Sequence, residues 1–193
     1  MPKEKKEKQE YFEEALSDFV YDVASGKAIR HLVDRGYTTE QIMRQLDFPS
    51  PRARVEATVY RYMLESGILL ETLPVPEDEM EKITLKHPAE RELIRFLRKL
   101  LEEDGEENSY VACMFGTIRR DRERRIGQMF GCLTGREREY LLGIPWPMRV
   151  IYHRLNSRMF EIGVQLALHS GTAFQFYFFK SRKIIECTAK EQE

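Results

Sequence analysis

Ten arginines and no lysine stand between residues 116 and 160, and five of them, Arg119, Arg120, Arg122, Arg124 and Arg125, fall within seven residues of "TIRRDRERRIGQMFG". Guanidinium groups suit phosphate, because each presents a planar fork of donors that matches two oxygens at once. The chemistry that such a cluster predicts is an electrostatic grip on a nucleic-acid backbone. A solvated helix start pairing with the acidic stretch at 102–107 fits the same spacing, and exposed pairs of that kind contribute little to stability. On a helix Arg122 shares a face with Ile126, so the five side chains do not all point one way.

Three more arginines, Arg52, Arg54 and Arg61, lie in "GYTTEQIMRQLDFPSPRARVEATVYRYM", which runs from Gly36 to Met63. Arg54 and Arg61 are seven residues apart, so a helix starting near Pro51 presents both to solvent on one side. The elements that position them are marked by local signals. Gly36 closes a helix covering Ala28 to Arg35. Thr38 caps the next one, and Gln41 three residues later completes a capping box. Pro49 stops that helix, Ser50 caps the following one, and Pro51 suits its first position. The third helix reaches Ser66 with Val55, Val59, Tyr62 and Met63 on one side, and Gly67 ends it.

Over residues 28–70 this pattern resembles a helix-turn-helix, ending in "YMLESGIL" where that family has a similar Gly-x-Leu after its recognition helix. The resemblance implies that Arg52, Arg54 and Arg61 face DNA, gripping phosphates or the acceptor edge of guanine. The residues themselves also fit a three-helix bundle that packs on protein. Ala53, Ala57, Tyr60 and Leu64 make the outer face of the third helix apolar, where a DNA reader shows polar side chains. Residues 26–70 hold seven bases against five acids, a weak positive balance.

Enzyme chemistry finds little inventory. His31, His87, His153 and His169 have no metal-ligand spacing. His153 and Ser157 are one helical turn apart with no acid in register to orient the histidine. The only Glu-x-Lys is Glu4-x-Lys6 in the charged tail, and "SGKA" at 25–28 lacks the first glycine of a phosphate loop. A non-enzyme with no cofactor and no metal is expected. Phe174, Phe176 and Phe178 alternate beside Lys180, Arg182 and Lys183, a pattern that serves base stacking but far more often fills a core.

The chain has 193 residues, 42% of them hydrophobic and 33% charged, with a net charge of −1. That near-neutral total is a cancellation: residues 71–107 hold twelve acids against six bases, and 116–160 hold ten bases against four acids. Cys113, Cys132 and Cys187 show no CxxC spacing, which fits a reducing, cytoplasmic setting. "MPKEKKEKQE" has no apolar stretch behind its lysines, so no signal peptide is expected. The uncharged run Ile162 to Phe179 has a helix stop near its middle, so no membrane segment is expected either.

The remaining elements follow from periodicity. Gln9 to Ala24 is a helix with Phe12, Leu16, Phe19, Val20 and Val23 on one face. Pro88 to Glu103 is helical, with Leu93, Leu97, Leu100 and Leu101 inward. "SYVACMFG" is a strand, and Arg119 to Leu133 a helix. Met148 to His169 is a long helix, with Met148, Ile151, Leu155, Met159, Ile162 and Leu166 at steps of three and four. "AFQFYFF" and "KIIECT" close the chain as a hairpin. The fold class expected is α+β: a helix-turn-helix-like module over 1–73, an acidic linker over 74–87, and a domain over 88–193 with a small antiparallel sheet on the long helix. The function expected is DNA binding in transcriptional or mobile-element control, with duplex DNA as partner. The alternative is an adaptor or inhibitor that binds a protein partner without nucleic acid. Either one admits a homodimer.

Overall fold

A computed structural model describes residues 11–13, 15–17, 20, 21, 23, 25–47, 49–113, 120, 123, 124, 127, 131, 133–145, 150–169 and 174–188. The fold is α+β, and the chain divides into two compact units between Tyr62 and Met63.

Helix α1 spans Gly26–Asp34 and α2 Thr39–Gln45 in the first unit, and α3, Arg52–Glu65, begins there and runs past the boundary. Gly36, at φ 76°, ends α1, with Gly36 N–H donating to the Val33 carbonyl and Tyr37 N–H to that of Leu32. That 5→2 and 6→1 pair satisfies the last carbonyls and needs a left-handed residue, which glycine adopts at no steric cost. Thr38 starts α2 as expected: its Oγ1 accepts from Gln41 N–H, and Gln41 Oε1 accepts from Thr38 N–H at 2.9 Å. Ile29, Val33, Ile42, Val55 and Val59 form the buried core of this unit. Tyr62 ties α3 to α1, its hydroxyl donating to Asp34 at 2.6 Å and its ring lying under Arg30.

The second unit is built on a six-stranded sheet of β1 (Leu69–Leu70), β2 (Glu81–Lys86), β3 (Ser109–Cys113), β4 (Ile151–Arg154), β5 (Phe174–Phe178) and β6 (Lys183–Thr188). The spatial order is β1-β4-β3-β5-β6-β2, antiparallel throughout except for the pairing of β2 with β6. Helix α4 spans Glu90–Asp104, α5 Gly135–Gly143 and α6 Ser157–His169. Strand alternation sends Val111, His153, Phe176 and Ile185 to the face that α6 covers, where Gly163 lets the helix approach Phe176 closely. Tyr110, Ala112, Tyr177 and Ile184 point the other way and are covered by Leu73, Val75 and Met80 of the segment before β2. The three alternating phenylalanines are all buried and belong to the core.

Two sequence expectations are corrected here. Met148 to His169 is not one helix: Ile151–Arg154 is β4, paired with β3, and the helix begins only at Ser157. The physical reason is that Ile151, His153 and Leu155 bury alternate side chains at a period of two, while Asn156 Oδ1 caps the helix by accepting from Met159 N–H. His153 is therefore on a strand and out of helical register with Ser157. The acidic segment 74–87 is not a free linker over its length, because residues 81–86 form the edge strand β2 beside β6. The expected antiparallel sheet is accordingly mixed. Helix α5 was passed over in the sequence, although its Thr134–Glu137 capping box is as clear as that of α2.

Candidate interaction surfaces

Arg52, Arg54 and Arg61 lie on α3 but do not form a common cationic face. Arg52 bridges two carboxylates, Glu40 of α2 and Glu56 one turn along α3, the latter at 2.7 Å. It thus joins two helices and spends its donors inside the unit. Arg54 is half-buried with its guanidinium 3.9 Å from the centre of the Tyr21 ring, a cation–π contact that holds it against the preceding helical residues. Arg61 is exposed, in line with the small side chains Ala53 and Ala57.

Of the arginine cluster, Arg120 and Arg124 are exposed helical residues. Arg119, Arg122 and Arg125 lie outside the described residues, so no common face is assigned to the five.

Two other surfaces are more conspicuous. The first is apolar. The described residues between 11 and 23 that precede Ser25 are helical, and Tyr11, Phe12, Leu16, Val20 and Val23 are 50–75% exposed. Among the described residues these are the exposed large hydrophobic side chains of the chain. The second is basic. Arg91, Arg95, Arg98 and Lys99 recur at helical spacing on the exposed side of α4, around the half-buried Ile94. Beside them runs an open groove of about 470 Å³ between α4, α6 and the start of α5. Its apolar floor is Ile94, Leu133, Phe160 and Val164, of which only Ile94 is not buried, and Glu90 of α4, Glu137 of α5 and Glu161 of α6 also line it. Arg98 leans over the Phe160 ring at 5.6 Å and so borders both the basic face and the groove. The basic face is masked in the sequence because residues 71–107 are acidic in total, while the four bases are concentrated on one side of one helix.

The chain matches no protein-family model, no characterised protein and no solved structure. Its surfaces must therefore be judged on their own chemistry.

Among the described residues, the cluster around His153 has catalytic residue types but is closed to solvent. His153 is fully buried, with Nδ1–H donating to the Arg154 carbonyl at 2.9 Å and Nε2 accepting from the Tyr140 hydroxyl at 2.8 Å. Burial pulls its pKa down to about 4, so the ring is neutral, as that pair of bonds requires. Burial pushes Cys113, on the same strand face, up to about 12, which keeps it a thiol rather than a nucleophilic thiolate. Arg158 stacks on Tyr140 with its Cζ 4.2 Å from the ring centre. His153 and Tyr140 thus satisfy each other inside the core. Among the described residues no group of three or more His, Cys, Asp or Glu side chains is placed to hold a metal ion, and no helix is long and apolar enough to cross a membrane.

Proposed function

We propose that the chain is a non-enzymatic interaction protein whose leading helix docks on a protein partner. The observation that carries this reading is the row Tyr11, Phe12, Leu16, Val20 and Val23, five large apolar side chains left at 50–75% exposure where the other large apolar groups among the described residues are covered. Single exposed hydrophobic residues are ordinary, whereas a contiguous patch marks a surface meant to be covered. The steps of four, four and three from Phe12 to Val23 keep the row on one helical side, the form in which amphipathic helices enter apolar grooves.

DNA binding by the helix-turn-helix-like helices in transcriptional or mobile-element control is the second reading, and the exposure of Arg61 on α3 favours it. It is the weaker one, because Arg52 and Arg54 already have intramolecular partners and Ala53 and Ala57 offer bases no hydrogen bonds.

The discriminating experiment has two arms. A photo-crosslinking amino acid at Leu16, compared with one at the exposed Lys86, is expected to give discrete protein adducts from position 16 alone. Titration of labelled mixed-sequence duplex at low salt is expected to show no saturable binding. Salt-dependent binding that Arg61→Ala weakens, together with no adduct at Leu16, would replace this reading by the DNA one.

A further inference from the structure

The apolar row and the basic groove are complementary in charge as well as in chemistry. Residues 9–26 carry Glu10, Glu13, Glu14, Asp18 and Asp22 and neither lysine nor arginine, so the leading helix is an acidic amphipathic one. The exposed side of α4 carries four bases against a single acid between Arg91 and Lys99, and an apolar floor lies next to it. Their lengths also agree. Phe12 to Val23 and Arg91 to Glu102 are each twelve residues, a rise of roughly 16 Å along a helix axis. The four lysines that precede it in the sequence, Lys3, Lys5, Lys6 and Lys8, have the charge opposite to Glu90, Glu137 and Glu161 of the groove lining.

We propose that the partner of the leading helix is a second copy of this chain, with the helix of one copy seated on the basic α4 side of the groove of the other, Leu16 and Val20 on Ile94, and its carboxylates against Arg95 and Arg98. The proposal rests on the interaction reading above and supplies its partner. A nucleic-acid backbone is a poorer occupant of the same surface, because phosphate gains nothing from apolar side chains such as Ile94. An acidic amphipathic helix uses both the floor and the basic wall. Arg98 is the pivot of the site: its guanidinium, already held over Phe160, is positioned for a carboxylate arriving at the floor's edge. Each copy has one helix and one groove, so the proposed pair is one in which each helix enters the groove of the other copy.

Sedimentation equilibrium of the full chain tests this. The expected result is a monomer–dimer equilibrium weakened by added salt, since part of the contact is ionic. Leu16→Asp on the helix side and Arg95→Glu/Arg98→Glu on the groove side should each weaken association by at least about tenfold. All three side chains are exposed, and unchanged far-UV circular dichroism and melting temperature confirm that the variants fold. If the groove variant fails that check, Arg91→Glu/Lys99→Glu reads the same surface. Mixing the helix variant with the groove variant should restore association, because the mixed pair keeps one intact helix–groove contact. Groove variants that self-associate like the parent would overturn the proposal, and so would a mixture that does not recover. A parent that stays monomeric at all concentrations overturns the second copy as partner. In that case adducts of other masses at Leu16 leave the interaction reading standing, and their absence removes it too.

Discussion

At the scale of single residues, the buried pair of Tyr140 and His153 is where the electrostatics have a measurable consequence. A neutral histidine with a folded pKa of about 4 binds fewer protons than the same side chain in the unfolded state, whose ordinary value is 6.5. Its contribution is therefore fully present above pH 6.5 and is lost as pH falls through the folded pKa. Between pH 7 and pH 5 the loss amounts to about 2 kcal/mol. Urea midpoints at the two pH values should fall accordingly for the parent and remain nearly level for His153→Gln, and an equal fall in both would show that other groups carry the acid sensitivity. Tyr140→Phe leaves His153 Nε2 without its donor inside the core, so it should destabilise by about 1–3 kcal/mol at pH 7. A chemical melt indistinguishable from the parent would mean that water replaces the hydroxyl.

At the scale of elements, the hairpin of β5 and β6 is held from outside itself. Asp104, at the end of α4, is buried, and its Oδ2 accepts from the backbone N–H groups of Lys180 at 2.8 Å and Ser181 at 3.1 Å. The helix end thus clamps the turn whose last residue, Arg182, adopts a φ of 53°. Asp104→Ala would free two turn donors and open a small void. The expected cost is about 2–4 kcal/mol by analogy with other buried charge-assisted bonds, together with faster amide exchange at residues 180 and 181. Unchanged exchange there would show that the turn holds itself. The caps are a milder case: Thr38→Ala and Thr134→Ala should each cost about 1 kcal/mol. Equal thermal melts for either variant and the parent would mean that the first turn is held by packing alone.

At the scale of the whole molecule, the second unit depends on a core shared by sheet and helix. Leu155 has no exposed surface and follows β4 directly, its N–H donating to the Ser109 carbonyl at 2.7 Å. Ile162, Phe176 and Phe178 are buried on the same side. Leu155→Ala should therefore destabilise by roughly 2–5 kcal/mol in a denaturant melt, as truncation of a well-packed leucine does. A value under about 1 kcal/mol would mean that the site collapses around the missing methyl groups. The opposite face of the sheet is secured differently. Tyr177 donates to Glu77 at 2.8 Å, and Lys82 and Gln175 meet at Glu186, which holds that carboxyl below its ordinary range. The acidic segment before β2 is thereby stitched onto the sheet rather than left as a tether.

What the amino-acid sequence determined by itself is what local chemistry decides. Thr38 with Gln41, the glycines after α1 and α3, and the alternation of Phe174, Phe176 and Phe178 each act within a turn or a strand, and all are seen in the fold. The α+β class follows from them. Only the tertiary structure decided which of two periods would win in Ile151 to Leu155, because spacings of four satisfy a strand face as well as a helix face and the β3 edge settles the choice. Pairing of β2 with β6 joins residues about a hundred positions apart, a separation at which no capping or turn signal operates. The same holds for the surfaces. A helical stripe from Phe12 to Val23 is equally legible whether it is covered or bare, and three arginines on one helix read alike until Glu40, Glu56 and Tyr21 arrive to take two of them. Local structure is encoded within a few residues, whereas exposure depends on what the rest of the chain brings alongside.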